Sequence, residues 1–146
     1  MKIAVGSDHR GLDFKKYVIE CLEKSGHMVI DCGSYSAESV DYPLIAKEVC
    51  RKVSALEAVC GVLICGTGIG MSIAANKVKG IRAALCCDAF GARRCRLHNN
   101  ANIICFGAER GTEGVEEMLQ TFLSTEFEGG RHQRRLDQIE DMESGK

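Results

Sequence analysis

Short apolar runs alternate along the chain with longer segments whose apolar residues recur at helical spacing. The runs predict buried strands, and the spaced segments predict amphipathic helices. The predicted strands are Lys2–Gly6, His27–Asp31, Cys60–Cys65, Ile81–Cys86 and Asn102–Phe106. The predicted helices are Leu12–Ser25, Val40–Val53, Ile69–Lys77, Ala89–Leu97 and Val115–Leu123. Strands that alternate with helices and are apolar on both faces predict an α/β fold with a doubly wound parallel sheet.

The segment from Gly129 to Lys146 has a different pattern. It is rich in Arg, Asp and Glu, and its apolar residues are few: Leu136, Ile139 and Met142. A polar helix with a thin apolar stripe usually packs on a neighbouring element, and we expect that neighbour to be a second subunit. The 146 residues suit one domain with one core, so residues 1–146 are interpreted as a single domain ending in this arginine-rich helix.

Composition and charge narrow the class of protein. Hydrophobic residues make up 45% and charged residues 27%, as in soluble globular proteins. The formal net charge of -1 provides no general basic field for nucleic acid. No apolar run approaches the roughly 20 residues of a membrane helix, and the start of the chain lacks the pattern of a signal peptide. We therefore expect a cytoplasmic protein with neither nucleic-acid nor membrane partners.

The chain contains nine cysteines, an odd number that cannot pair completely within one chain. Several lie inside apolar runs, where a reduced thiol behaves as a small hydrophobic side chain. No CxxC pair occurs, and the histidines are not at metal-ligand spacing, so no metal site is expected. Most of the cysteines are predicted to be reduced core residues, which leaves room for one with a chemical role.

Cys65 ends the most apolar strand, and a glycine loop follows at once. Gly66, Gly68 and Gly70 permit a tight turn that presents backbone amides to an anion. The loop is not a Walker A sequence, since no Lys follows Gly70, and its glycine spacing differs from that of a dinucleotide-binding fingerprint. A simple tight turn is the alternative. A cysteine beside such amides favours the thiolate and an oxyanion site, which together can move a proton next to a carbonyl.

Two further polar pairs lie at ends of predicted elements. His98 and Asn99 precede the fifth strand, and imidazole is suited to proton transfer near neutral pH. A purely structural histidine is the alternative. Asp8 and His9 follow the first strand, where ligands of such sheets bind, although Asp8 could simply cap the next helix.

Arg131 and Arg135 lie four residues apart in the C-terminal segment. In a helix they share one face, and two guanidinium groups on one face can bind a phosphate. A solvated charged helix face is the alternative interpretation.

The motifs taken together resemble those of type B ribose-5-phosphate isomerases and the related galactose-6-phosphate isomerases. The resemblance rests on Gly61–Cys86 (GVLICGTGIGMSIAANKVKGIRAALC), GSDHRG near the start, ESVDYP at Glu38–Pro43, RLHNNAN at Arg96–Asn102 and EGGRHQRR at Glu128–Arg135. It runs from about Lys2 to Ile139. It implies a Rossmann-like sheet of five strands and a homodimer, or a dimer of dimers, with active sites between subunits.

The resemblance also implies a reaction and its residues. The reaction is the reversible conversion of ribose 5-phosphate to ribulose 5-phosphate through a cis-enediolate, without a metal or nucleotide cofactor. Cys65 is the implied base, His98 the acid that helps open the sugar ring, and Thr67 part of the loop that holds the enediolate. The implied substrate-binding residues are Asp8, His9, Gly66, Gly68, Ile69, Gly70, Asn99, Arg131 and Arg135. One branch of the family uses a Glu where this chain has Met71, which favours Cys65 as the base.

Two positions depart from the family pattern. Arg10 replaces a small residue, and Glu109 stands where relatives carry a phosphate-binding Arg. We predict that Arg110 takes that role through a one-residue shift. Three alternatives stay open: an isomerase for allose or galactose 6-phosphate, a non-catalytic module that binds an anion or a nucleotide, and a thiol redox protein.

Overall fold

A computed structural model describes all residues from Met1 to Lys146. The strands are β1 Lys2–Ser7, β2 Met28–Asp31, β3 Cys60–Cys65, β4 Ala83–Leu85 and β5 Ile103–Gly107. The helices are α1 Leu12–Lys24, α2 Tyr42–Ser54, α3 Ile69–Ala75, α4 Ala89–Asn99, α5 Val115–Ser124 and α6 Arg131–Glu143. All strand pairs are parallel, and their order is β2-β1-β3-β5-β4. The predicted α/β fold with a five-stranded parallel sheet is confirmed.

The sheet has an apolar core on each face. Alternate residues of β3 point to opposite sides: Val62 and Ile64 join the cluster that includes residues of α1, α4 and α5, whereas Leu63 and Cys65 join the cluster with α2 and α3. This period of two follows from strand geometry. It places the Cys65 side chain on the side of the sheet that α2 and α3 cover.

The expectation that every strand is buried on both faces is wrong for the two outer strands. β2 and β4 contain no buried residue, and Met28 of β2 is 65% exposed. Both strands lie at the ends of the strand order, where only one neighbour covers them. β4 is also shorter than the predicted Ile81–Cys86.

Hydrogen bonds of the Asn76 side chain end α3 two residues earlier than predicted. The Asn76 amide donates to the carbonyl oxygens of Ser72 and Ala83, each at 2.9 Å, and its oxygen accepts the Ala83 amide at 2.8 Å. These bonds tie the end of α3 to the first residue of β4. The helix therefore stops where Asn76 turns the chain toward the sheet.

Helix α6 packs on its own chain through two buried side chains, His132 and Leu136. The Glu128 amide donates to the Leu97 carbonyl at 3.0 Å, which ties the segment before α6 to α4. Ile139 is 47% and Met142 77% exposed, so part of the predicted apolar stripe lies free on the surface.

All nine cysteines are free thiols and seven are buried, which confirms the prediction of reduced core cysteines. Burial raises the pKa of Cys32, Cys50 and Cys60 to about 11, so these thiols stay protonated at neutral pH. No helix of the chain is both long and apolar enough to span a membrane.

Candidate active site

The central strands β1 and β3 end side by side, and the polar residues that follow them form one site. The Asp8 amide donates to the Ile64 carbonyl at 3.1 Å, which joins the end of β1 to β3 one residue before Cys65. After β1 the chain forms β2 on one side, whereas the strands after β3 lie on the other. Such a switch point in a parallel sheet leaves a crevice for ligands at the carboxyl ends of the strands.

Cys65 differs from the other cysteines in what its sulfur contacts. Its Sγ accepts a hydrogen bond from the Gly68 amide at 3.1 Å, while the residue is only 5% exposed. The thiols of Cys32 and Cys50 instead donate to backbone carbonyl groups. An amide donor favours negative charge on sulfur, whereas a carbonyl acceptor requires a thiol proton. Cys65 is therefore set apart from the other cysteines, because its sulfur accepts a hydrogen bond from a backbone amide.

The glycines of the loop permit close contacts that a side chain would prevent. Gly68 has φ +78°, and a Cβ there would lie 2.6 Å from Leu85 Cδ1 and 2.9 Å from the Phe106 carbonyl carbon. A Cβ on Gly70 would lie 2.6 Å from the ring of Tyr42. The loop is thus held between α2 and the end of β5, which fixes the direction of its amides.

Backbone amides of the loop are available to a ligand. Thr67 Oγ1 accepts the Ile69 amide at 3.2 Å. The amides of Thr67 and Gly70 have no acceptor within the protein. Preorganised amides of this kind can stabilise an oxyanion that forms near the Cys65 sulfur.

An open cavity of about 510 Å³ lies over Cys65 and the loop. Six predicted site residues line it: Asp8, Cys65, Gly66, Thr67, Ile69 and Gly70. Four lining residues were not predicted as site residues: Arg10, Tyr42, Ile73 and Glu109. Tyr42 lies within the ESVDYP segment, and its position in a characteristic motif could have identified it as a site residue. Nothing in the local sequence indicated that α3 presents Ile73 to this cavity.

Asp8 caps the turn that follows β1 and also lines the cavity. The residue is 6% exposed, and its Oδ1 accepts the amides of Arg10 and Gly11 at 3.0 and 3.1 Å, which caps the short 3-10 turn His9–Gly11. Its Oδ2 has no hydrogen bond within the protein and remains available to a ligand. His9 does not line the cavity, and its Nδ1 accepts the Val40 amide at 3.2 Å.

The other predicted residues form a second cluster on α4 and α6. The rings of His98 and His132 stack with centroids 4.2 Å apart, and an Arg94 guanidinium nitrogen lies 3.1 Å from His98 Nε2. Arg131 and Arg135 lie exposed on α6 beside this pair. Neither these residues nor Asn99, which lines a groove beside α6, line the Cys65 cavity. Within one chain, therefore, the structure does not bring His98 to Cys65.

The histidine cluster contains three potential metal ligands. One ligand atom from each of His98, Glu128 and His132 lies within 4.8 Å of the others, and His132 Nε2 is buried without a hydrogen-bond partner. Burial, followed by the charges of His98 and Arg131, lowers the pKa of His132. The ring planes are only 16° from parallel, so lone pairs that lie in these planes do not converge readily on one ion. The adjacent Arg94 also opposes a cation, so the cluster is poorly suited to a metal.

The turn after β5 separates the two residues considered for the phosphate-binding position. Glu109 lines the Cys65 cavity, and its amide donates to the Gly66 carbonyl at 3.0 Å. Arg110 lines a different groove, together with Cys86 and Cys87. In a single chain the one-residue shift proposed for Arg110 does not bring it into the cavity that holds Cys65.

The sequence model of the Ribose/Galactose Isomerase family matches residues 3–139 of this chain. The chain belongs to this family. It is 43% identical to the ribose-5-phosphate isomerase B of Escherichia coli (strain K12) over 143 residues, which cover 97% of this chain and 96% of the relative. The family resemblance inferred from the motifs is confirmed.

Solved structures of family members superpose closely on this chain. The ribose-5-phosphate isomerase B of Clostridium thermocellum has a TM-score of 0.97 at 45% identity and covers 99% of both chains. That of Mycoplasma genitalium with bound ribulose 5-phosphate has a TM-score of 0.93 at 40% identity and covers 99% of this chain and 97% of its own. Within this shared fold, Met71 is fully buried in the same apolar cluster as Cys65.

Proposed function

We propose that the chain is an enzyme that interconverts ribose 5-phosphate and ribulose 5-phosphate, with residues 1–146 acting as one isomerase domain. The observation that carries this proposal is the hydrogen bond from the Gly68 amide to Cys65 Sγ beneath a cavity with unpaired loop amides. The E. coli relative with this activity in its name, and the M. genitalium structure with bound ribulose 5-phosphate, support the choice of substrate.

Cys65 acts as the base on the open-chain sugar. Its thiolate takes the proton from C2 of the aldose, and the carbonyl oxygen at C1 becomes an enediolate oxygen. Loop amides, including that of Thr67, hold the negative charge on this oxygen. The thiol then returns the proton to C1, which leaves a carbonyl at C2. In the same step the proton of the C2 hydroxyl is transferred to O1, which becomes the C1 hydroxyl. Atoms and charge therefore balance without an external reductant.

A second copy of the chain completes the site in this proposal. His98, Asn99, Arg131 and Arg135 lie away from the Cys65 cavity of their own chain, so a partner must supply them if they act there. Ile69 and Ile73, at the rim of the cavity, are 53% and 58% exposed, which provides an apolar surface for a partner. A two-fold pairing buries the same surface twice and forms two equivalent sites. The imidazole of His98 would then open the furanose ring, and the two arginines would bind phosphate.

The first test is the isomerisation of ribose 5-phosphate by the purified chain in EDTA, with allose 6-phosphate and galactose 6-phosphate in parallel. Turnover of the pentose supports the proposal. Turnover of a hexose phosphate alone keeps the chemistry but replaces the substrate. No turnover of any of the three would contradict the proposed reaction.

The shared site is tested by mixing two variants, Cys65→Ala and His98→Ala. If each site uses Cys65 of one chain and His98 of the other, both pure variants are inactive. Subunit exchange in an equal mixture then restores about a quarter of the wild-type activity, because half of the dimers are mixed and each contains one intact site. No recovery after proven exchange would show that the two residues act within one chain.

A further inference from the structure

The two departures from the family pattern, Arg10 and Glu109, contact each other. Arg10 Nη1 lies 3.5 Å from Glu109 Oε1. Arg10 follows β1 and Glu109 follows β5, and these strands flank β3, which ends at Cys65. The pair therefore bridges the strand end that carries the proposed base.

Both side chains lie over Gly66, the residue directly after Cys65. A Cβ built on Gly66 would lie 2.9 Å from Glu109 Oε1 and 3.5 Å from Arg10 Cδ. The Glu109 amide also donates to the Gly66 carbonyl at 3.0 Å, which fixes the position of Glu109 on the loop. Glu109 is thus anchored by its backbone, and its carboxylate directs the guanidinium of Arg10 over the cavity.

The charges that line the cavity give Arg10 a distinct role. Asp8 and Glu109 are the acidic residues there, and Arg10 is the single basic residue. Without Arg10 the residues that line this cavity would present two carboxylates and no cation to a sugar phosphate, which itself carries roughly two negative charges at neutral pH. Arg10 neutralises Glu109 and provides the cation that the lining of the cavity otherwise lacks.

Cys65 and Arg10 lie at different depths in the cavity, and these depths correspond to the reacting end and the phosphate end of the substrate. Cys65 is 5% exposed at the bottom of the cavity, whereas the Arg10 side chain is 66% exposed at its mouth. A sugar phosphate whose C1 and C2 lie at Cys65 extends its phosphate toward the mouth. A guanidinium group there can donate two parallel hydrogen bonds to phosphate oxygens.

We propose that Arg10 is a substrate-binding residue that selects phosphorylated sugars, and that Glu109 holds its guanidinium in the free enzyme and releases it to the substrate. This inference rests on the proposed isomerase function. Glu109 holds Arg10 in the free enzyme and competes with the phosphate for it.

The experiment measures turnover and binding in a double-mutant cycle of Arg10→Ala and Glu109→Gln. Arg10→Ala is expected to raise KM for ribose 5-phosphate about tenfold, with a smaller effect on kcat, because a charge-assisted hydrogen bond is lost. Arg10→Lys keeps the charge without the planar fork and should give an intermediate KM. Lys16→Ala, which removes an exposed cation that does not line the cavity, should leave KM unchanged.

Glu109→Gln distinguishes a partner that competes with phosphate for Arg10 from an unrelated neighbour. In the wild-type background it should lower KM about twofold, because Arg10 is released. In the Arg10→Ala background it should lower KM more, because there it removes an unpaired carboxylate that repels phosphate. Equal effects in both backgrounds would overturn the role of Glu109, and an unchanged KM in Arg10→Ala would overturn that of Arg10.

Calorimetric binding of ribose 5-phosphate in a Cys65→Ala background separates this inference from the proposed function. If the wild type does not isomerise ribose 5-phosphate but Arg10→Ala still weakens its binding about tenfold, the reaction is wrong and the anion site stands. If the wild type is active and binding is unaffected by Arg10→Ala, the reaction stands and the inference fails.

Discussion

The Gly68 amide nitrogen lies 3.1 Å from the sulfur of Cys65, three residues earlier in the chain. This contact closes the glycine loop onto the end of β3. The positive φ of Gly68 then turns the chain into α3. The same turn that starts α3 therefore provides the amide donor to the sulfur of the proposed base.

Replacing Cys65 with Ser should reduce turnover of ribose 5-phosphate by at least roughly 100-fold, because positioned acid–base catalysis contributes at least that much. A hydroxyl at this position cannot act as a base near neutral pH. Steady-state kinetics with each sugar phosphate measures the loss. Cys87→Ser is the matched control, since Cys87 is the exposed cysteine and does not line the cavity. Near-normal turnover by the Cys65→Ser variant would show that Cys65 is not the base.

Gly68→Ala should impair both stability and turnover more than Gly80→Ala does. Both glycines have φ +78°, but a Cβ on Gly80 meets nothing within 4 Å, whereas one on Gly68 meets Leu85 and Phe106. Gly80→Ala should lower the free energy of unfolding by about 1–2 kcal/mol, the strain of a left-handed residue. Denaturant titration and kcat compare the two variants. Equal losses would show that the contacts of Gly68 are unimportant.

Arg131→Ala should weaken the binding of phosphorylated sugars and leave kcat less affected, since it removes a charge at the non-reacting end of the substrate. Comparing ribose 5-phosphate with free ribose measures the effect. The control is Arg93→Ala, an exposed arginine of α4 without a side-chain partner. The same loss with ribose and with its phosphate would argue against a phosphate contact.

The stability of the protein should fall with acid in part because of His132. Burial, His98, Arg131 and Arg135 lower its pKa in the folded state, while Glu128 opposes the shift. The unfolded chain therefore takes up this proton at a higher pH than the folded chain. The contribution of neutral His132 to the free energy of unfolding is fully present above about pH 6.5, and it is lost as the pH falls through the lower folded-state pKa.

The check is the thermal midpoint between pH 8 and pH 5 in the wild type and in His132→Gln. The variant should show a shallower decline. Some pH dependence should remain, because burial and then the N-terminal charge also lower the pKa of His27. Identical slopes in the two proteins would show that the His132 pKa is not shifted on folding.

Lys15→Ala should destabilise the fold by about 2–3 kcal/mol, because a buried charge and its hydrogen bonds are lost. Lys15 is 3% exposed in its side chain, and its Nζ lies 2.6 Å from both Asp31 Oδ1 and the Ser34 carbonyl oxygen. The neighbouring Lys16→Ala is the control: its partner Asp13 is fully exposed, so a loss within about 0.5 kcal/mol is expected. Equal losses in chemical denaturation would contradict the argument.

Much of the fold was predictable because its signals are local. The order of strands and helices follows from apolar runs and helical spacing, and the parallel sheet follows from their alternation. The exposure of β2 and β4 was not predictable from their composition. Whether an apolar strand lies at the centre or at the edge of a sheet depends on strand order, which pairing between distant segments decides.

The candidate site divides in the same way. The sequence by itself determined that Cys65 and the loop to Gly70 form one unit, because they are contiguous and glycine spacing dictates the turn. Only the tertiary structure decided that Arg10 and Glu109 meet over Gly66, and that His98 lies away from Cys65. The physical reason is that side chains separated by about a hundred residues come together only through the register of β1, β3 and β5, and no local pattern encodes that distance.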